Sequence, residues 1–196
     1  ARHLGHRVIA VDRVPERLQM ARRHGIEVLD ARECDDVPGA IRDMTDGRGT
    51  DSVIDAVGME AHGSTPAKIA QTLTGLLPDA AAAALMKKAG IDRLTVLNQA
   101  IETVRRGGTL SISGVYGGMA DPLPMLQMFD KGIQIRMGQA HVKRWIDDLM
   151  PLVTDDADPL GVEDLATHRL PLAQAPRGYE IFQKKTDGAV KVLLAP

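Results

Sequence analysis

HRVIAVDRVPERLQMARRHGIEVLD, residues 6–30, decides the fold. Within it, RVIAVD at 7–12 is a short apolar run closed by a carboxylate, and it reads as a buried strand. Pro15 to His24 reads as a helix, with Pro in the first turn, Leu18, Met20 and Ala21 on one side, and Gly25 as the stop. EVLD at 27–30 is a second short strand. Strand, helix and strand in so short a stretch predict a β–α–β crossover and parallel pairing.

The same alternation continues downstream. Val37 to Thr45 predicts a helix with Ile41 and Met44 inward, and Asp46-Gly47-Arg48-Gly49 a turn. DSVIDAV at 51–57 is a third strand, ending at Gly58. Residues 59–91 break the rhythm and read as a helical insertion, with helices over 65–77 and 78–88. The alanine run in the second of these is a strong helix former. A helix over 92–106 places Leu94, Leu97, Ile101 and Val104 on one face and ends at Gly107-Gly108. TLSISGVY at 109–116 and IQIRM at 133–137 are the fourth and fifth strands. A helix over 143–153 and a short α+β tail at 162–196 complete the chain. The fold class expected is α/β, a doubly wound parallel sheet with helices on both faces.

Composition narrows the function. The 196 residues are 44% hydrophobic and 26% charged with net charge −2, which suits a globular chain and gives no broad pull toward nucleic acid or membrane. Aromatics are scarce, at two Phe, two Tyr and one Trp, so aliphatic side chains must fill the core, as in buried parallel strands. The single cysteine, Cys34, cannot form an internal disulfide and points to the cytoplasm. No apolar run reaches the ~18 residues of a membrane helix, and no signal peptide is visible. Ala1 reads as a cut point within a longer protein.

Asp12 is the first informative residue. A carboxylate at the end of such a strand accepts hydrogen bonds from adenosine ribose hydroxyls and repels a 2′-phosphate, favouring NAD over NADP. It equally suits a cap for the following helix. Arg13 reads as surface; Arg17 could reach the ribose or stack on adenine. Gly58 and Gly114 end two strands at one sheet edge, where ligands bind and glycine admits a flat ring. Either glycine alone is more simply a turn. His3, His6, His24 and His168 read as surface; His62 and His141 follow strand ends and could face a cofactor cleft. HExxH, CxxC and GxSxG are absent, so neither a metal cluster nor a serine nucleophile is expected. The glycine-rich GxGxxG loop would precede Asp12 by about 20 residues, before the chain begins.

These segments resemble the zinc-containing medium-chain alcohol dehydrogenases, in the branch of glutathione-independent formaldehyde dehydrogenase. Residues 6–30 carry the likeness, with TDGRGTDSVIDAVGMEAHG at 45–63 and VLNQAIETVRRGGTLSISGVYGG at 96–118. MGQAHVKRW at 137–145 and HRLPLAQAPRGYEIFQKKTDGAVKVLL at 168–194 support it. The resemblance implies a Rossmann-type NAD-binding domain over 1–149 lacking its first strand, and a segment at 150–196 returning to a catalytic domain. It implies that Asp12 holds the ribose and Arg17 the adenosine end, and that Val57 flanks the adenosine side. His62 stands where the branch has an Arg. Ser113-Gly114-Val115 and Gly138-Gln139-Ala140 match backbone beside the nicotinamide. The catalytic zinc and its ligands lie, in the family, upstream of anything present here.

The implied chemistry is hydride transfer between an alcohol or aldehyde hydrate and nicotinamide, with zinc as Lewis acid in the full-length protein. This chain alone is then expected to be inactive and to bind NAD weakly or not at all. In the family the strand at 132–137 forms a sheet across a subunit interface, which implies a homo-oligomer, a dimer by default. Two other readings stand beside this one. A Rossmann-like methyltransferase also holds a ribose with a strand-end acid, although GRGTDSVIDAVG and APRGYEIF do not suit it. A non-catalytic nucleotide-fold interaction module is the other.

Overall fold

The computed structural model describes residues 1–57, 94–116 and 123–196. Gly58, His62 and the insertion read at 59–91 lie outside the described residues. The chain forms two compact units, residues 1–35 with 141–196 and residues 36–140. The fold is α/β, and among the described residues every strand pair is parallel.

In the first unit, β1 (Ile9–Asp12), α1 (Pro15–Arg23) and β2 (Glu27–Asp30) form the expected crossover. The strands pair from Ile9 with Glu27 to Asp12 with Asp30, so both end in a carboxylate at one edge. Pro15 opens α1 where its missing N–H costs nothing, and Leu18 and Met20 are its buried residues. Ala21, expected beside them, is half-buried. The tail supplies α5 (Ile146–Val153), β6 (His168–Pro171), α6 (Ala175–Lys184) and β7 (Val192–Ala195). β6 and β7 pair with each other, and α6 packs Gly178 against Leu170, Val192 and Leu194.

The second unit contains α2 (Val37–Asp43), β3 (Thr50–Asp55), α3 (Thr95–Thr103), β4 (Val104–Ile112), α4 (Met125–Lys131) and β5 (Gln134–Met137). Asp36 caps α2 by accepting the Gly39 N–H at 2.8 Å. The sheet order is β3-β4-β5. Its register puts Val53, Leu110 and Ile135 in one row and Asp55, Ile112 and Met137 in the last row on the same face. Leu94, Leu97, Ala100 and Ile101 cover that face and form the core with Leu110 and Ile112. Complete burial of Ile101 and Leu110 contributes about 1.5–3 kcal/mol each. Lys131 fastens α4 to α3, its Nζ donating to the carbonyls of Ile101 at 2.7 Å and Glu102 at 3.0 Å.

Two sequence expectations change here. The helix read over 92–106 stops at Thr103, and β4 begins at Val104 rather than at residue 109. Val104 pairs with Thr50 and Arg105 reaches Asp51, so pairing captures these residues before the glycines can end a helix. Gly107, at φ +67°, turns the strand from within. Gly49 is required by two constraints at once: its φ is +82°, and a Cβ would run into the Thr103 carbonyl oxygen. α4 had no counterpart in the sequence reading.

Leu110→Ala lowers stability by about 2–5 kcal/mol, because a wholly buried side chain leaves a cavity. Leu126→Ala, at a position 82% exposed on α4, stays within about 0.5 kcal/mol of the parent. Urea unfolding of both variants checks the contrast.

Candidate functional site

Three parallel strands in the second unit end in one register row, and the expected nicotinamide-side residues follow from those ends. Val57 lies two residues past β3, Ser113-Gly114-Val115 directly follow β4, and Gly138-Gln139-Ala140 directly follow β5. The structure therefore gathers all three groups at the carboxyl edge of one sheet, where α/β proteins place ligands. Val57 is 42% exposed and Val115 is 76% exposed. Ser113, Gln139 and Ala140 are exposed as well. Gly138 takes φ +151° with open space around its α-carbon.

Asp55 organises this edge, and its side chain is buried. One carboxylate oxygen accepts the Val57 N–H at 2.9 Å, and the other accepts the Tyr116 hydroxyl at 2.6 Å. The Asp55 carbonyl accepts the N–H groups of Ser113 and Gly114, each at 2.9 Å, and the Ser113 hydroxyl at 3.1 Å. Burial, then the bond to Asp55, pushes the Tyr116 phenol well above its ordinary range. Tyr116 also packs against the hydrophobic core. Neither residue emerged from the sequence reading. The available signal was spacing: Asp55 stands two residues from Val53, which puts a carboxylate on the core-facing side of the strand.

In the first unit, Asp12 ends β1. Its Oδ1 accepts the N–H groups of Arg13 at 2.6 Å and Val14 at 2.9 Å, which closes the turn into α1. Its Oδ2 lies 3.8 Å from the Arg17 guanidinium, with both side chains about one-third exposed. Asp12 is not the cap of α1, since Val14 holds that position without a side-chain cap bond; the turn-closing oxygen and the one beside Arg17 are different atoms. Asp30, its neighbour in register, accepts the Arg32 N–H at 2.9 Å and holds the Arg32 guanidinium with both oxygens. That guanidinium, with the backbone bond next in effect, lowers the Asp30 pKa to about 2.

The histidines need one correction. His3 and His6 are exposed, but His24 and His168, expected at the surface, are half-buried and paired with carboxylates. His24 Nε2 lies 3.1 Å from Asp164, and His168 Nε2 lies 3.3 Å from Asp187. His141 is exposed and precedes a short 3-10 turn at Val142–Trp145 without a side-chain cap bond to it. Among the described residues, no group of three His, Cys, Asp or Glu side chains could hold a metal ion. Zinc therefore has no ligand set in the described part of this chain. Among the described residues, no helix is long and apolar enough to cross a membrane.

The ion pair at Asp30 persists from neutral pH down through the ordinary carboxylate range and is lost only as pH falls toward 2, because the folded pKa is depressed. A carboxyl carbon NMR titration finds the Asp30 midpoint near 2, and Arg32→Ala moves it upward.

Comparison with known proteins agrees with this architecture. The zinc-binding dehydrogenase family model matches residues 1–73. An uncharacterized zinc-type alcohol dehydrogenase-like protein of Bacillus subtilis, AdhB, is 36% identical over 192 residues, which is 97% of this chain and 46% of that protein. Formaldehyde dismutase of Pseudomonas putida is 29% identical over 190 residues, covering 90% of this chain and 42% of the relative. Among solved structures, the alcohol dehydrogenase TADH from Thermus sp. ATN1 superposes with a TM-score of 0.72 at 30% identity, over 97% of this chain and 44% of that one. This chain spans less than half the length of these relatives. It belongs to the zinc-type alcohol dehydrogenase family.

Proposed function

We propose that this chain is the NAD-recognising part of a zinc-type oxidoreductase that acts on a small alcohol or an aldehyde hydrate. The reading rests first on Asp12. One of its oxygens is committed to the turn into α1, and the other lies 3.8 Å from the Arg17 guanidinium on a side chain about one-third exposed. Such a carboxylate accepts hydrogen bonds from vicinal ribose hydroxyls and opposes a 2′-phosphate. This acceptor therefore fits NAD better than NADP. Arg17 steadies the acid and serves the adenosine end.

Bound NAD would supply the hydride acceptor. The chain's own part is recognition and placement. Asp12 accepts from the ribose, Val57 flanks the adenosine side, and the 113–115 and 138–140 backbones border the ring and its carboxamide. Gly58 and His62 stay in the proposal on family resemblance alone. Zinc belongs to the whole protein in this reading, and no step through it is drawn from the residues described. The domain assignment is likewise proposed: 1–149 for the nucleotide and 150–196 returning to a catalytic domain.

A homo-oligomer is proposed as well. β5 is an edge strand with all four residues exposed, next to exposed Met125, Leu126 and Phe129 on α4. The solitary Cys34 supports a cytoplasmic setting.

The 196-residue chain binds NADH weakly and more tightly than NADPH, as followed by ligand-observed NMR. Asp12→Ala weakens NADH by about tenfold and narrows its advantage over NADPH, as expected when a hydrogen bond to a charged group is lost. The chain alone reduces no NAD with short alcohols. NADPH binding as tight as NADH, or indifference to Asp12→Ala, would sink the assignment, and S-adenosylmethionine binding in its place would point to a methyltransferase.

A further inference from the structure

We propose that Asp55 is a positioning residue, holding the chain ends of β3 and β4 in the arrangement that the nicotinamide end of the cofactor needs. The inference rests on the NAD reading above. It starts from an anomaly on the core face of the sheet. Asp55 shares that face with Val53, Leu110 and Ile112, and it is 2% exposed. An apolar side chain would fill the same row without the cost of removing a carboxylate from water.

What the carboxylate accomplishes there is visible in its bonds. Its side-chain oxygens reach forward to the Val57 N–H and across to the Tyr116 hydroxyl. Its carbonyl holds the N–H groups of Ser113 and Gly114. The side chain therefore ties the exit from β3 to the far end of the 113–116 turn, while the main-chain carbonyl, which any residue would supply, holds the near end. Ser113 and Val115 are exposed, so packing of their own side chains cannot account for the order of this turn. Tyr116 does the opposite job at the far end, seating its ring against the core while its hydroxyl returns to Asp55. The result is an exposed backbone with a fixed shape, which is what close approach of a flat ring demands.

The test uses the full chain, with NADH and ADP-ribose as separate probes and amide exchange as a readout independent of both. Asp55→Ala should weaken NADH roughly tenfold while ADP-ribose, which lacks the nicotinamide, changes less than about twofold. Exchange at the Val57 amide, whose side-chain acceptor is removed, should rise at least about tenfold, with the Leu110 amide still slow. Asp55→Asn, which keeps an acceptor for Val57 and a polar group for Tyr116, should restore most of both. If Asp55→Ala does not fold, Tyr116→Phe should show the same split at smaller amplitude.

Equal loss of NADH and ADP-ribose, with exchange rising along all of β3 and β4, overturns the proposal in favour of plain support of the fold. Unchanged exchange and NADH binding overturn it too. Wild-type protein that binds NADH no better than ADP-ribose defeats the nicotinamide reading itself, before any variant is made.

Discussion

A carboxylate withdrawn from water must be met by donors, and the carboxyl edge of the second unit is built around meeting one. Asp55 sits at the end of β3 with its oxygens directed at Val57 and Tyr116. Remove those donors and the buried carboxylate meets the full desolvation penalty; remove the carboxylate and Val57 and Tyr116 lose their shared acceptor. The turn after β4 can therefore lie at the surface without being loose. Its backbone is fastened at Ser113 and Gly114 to a main-chain carbonyl and at Tyr116 to a side chain.

The hydrophobic core makes that edge possible. Leu94, Leu97, Ala100 and Ile101 of α3 and its preceding residue press on Leu110 and Ile112 of β4. Parallel strands joined this way carry their carboxyl ends to one side, so the polar work collects at that side while the aliphatic packing stays behind it. Lys131 adds a second fastening, binding the last carbonyls of α3 from α4; burial lowers its pKa. In the first unit the same division holds on a smaller scale, with Leu18 and Met20 under α1 and two aspartates at the strand ends.

The crossover at 7–30 was legible because each of its signals is local: an apolar run, a proline that can only begin a helix, a glycine that ends one. Asp12 was legible for the same reason, as a charge closing an apolar run. The start of β4 was not. VRRGG reads as a helix running into glycines, and only the pairing of Val104 with Thr50, distant in sequence, makes it a strand. α4 escaped because its apolar residues do not form a clean stripe: Met125, Leu126 and Phe129 face outward while Met128 packs on the core. Asp55 escaped because an acid between apolar neighbours resembles a surface position until the register shows which way it points. His168 escaped because its partner, Asp187, lies 19 residues away.

The spacing of the paired strands also orders events in time. Ile9 meets Glu27 across one short helix, whereas Val53 must wait for Leu110, more than three times as far along the chain. Loop-closure entropy makes the longer closure costlier by about 1 kcal/mol, and it slows the search accordingly. Closing the β1–α1–β2 crossover is thus the cheaper step, and closing the three-stranded sheet the costlier one. The link from Arg23 to Asp164 spans 141 residues, a longer closure than either. During synthesis on the ribosome, β3 emerges well before the strand it needs, and its edge stays open until that partner arrives.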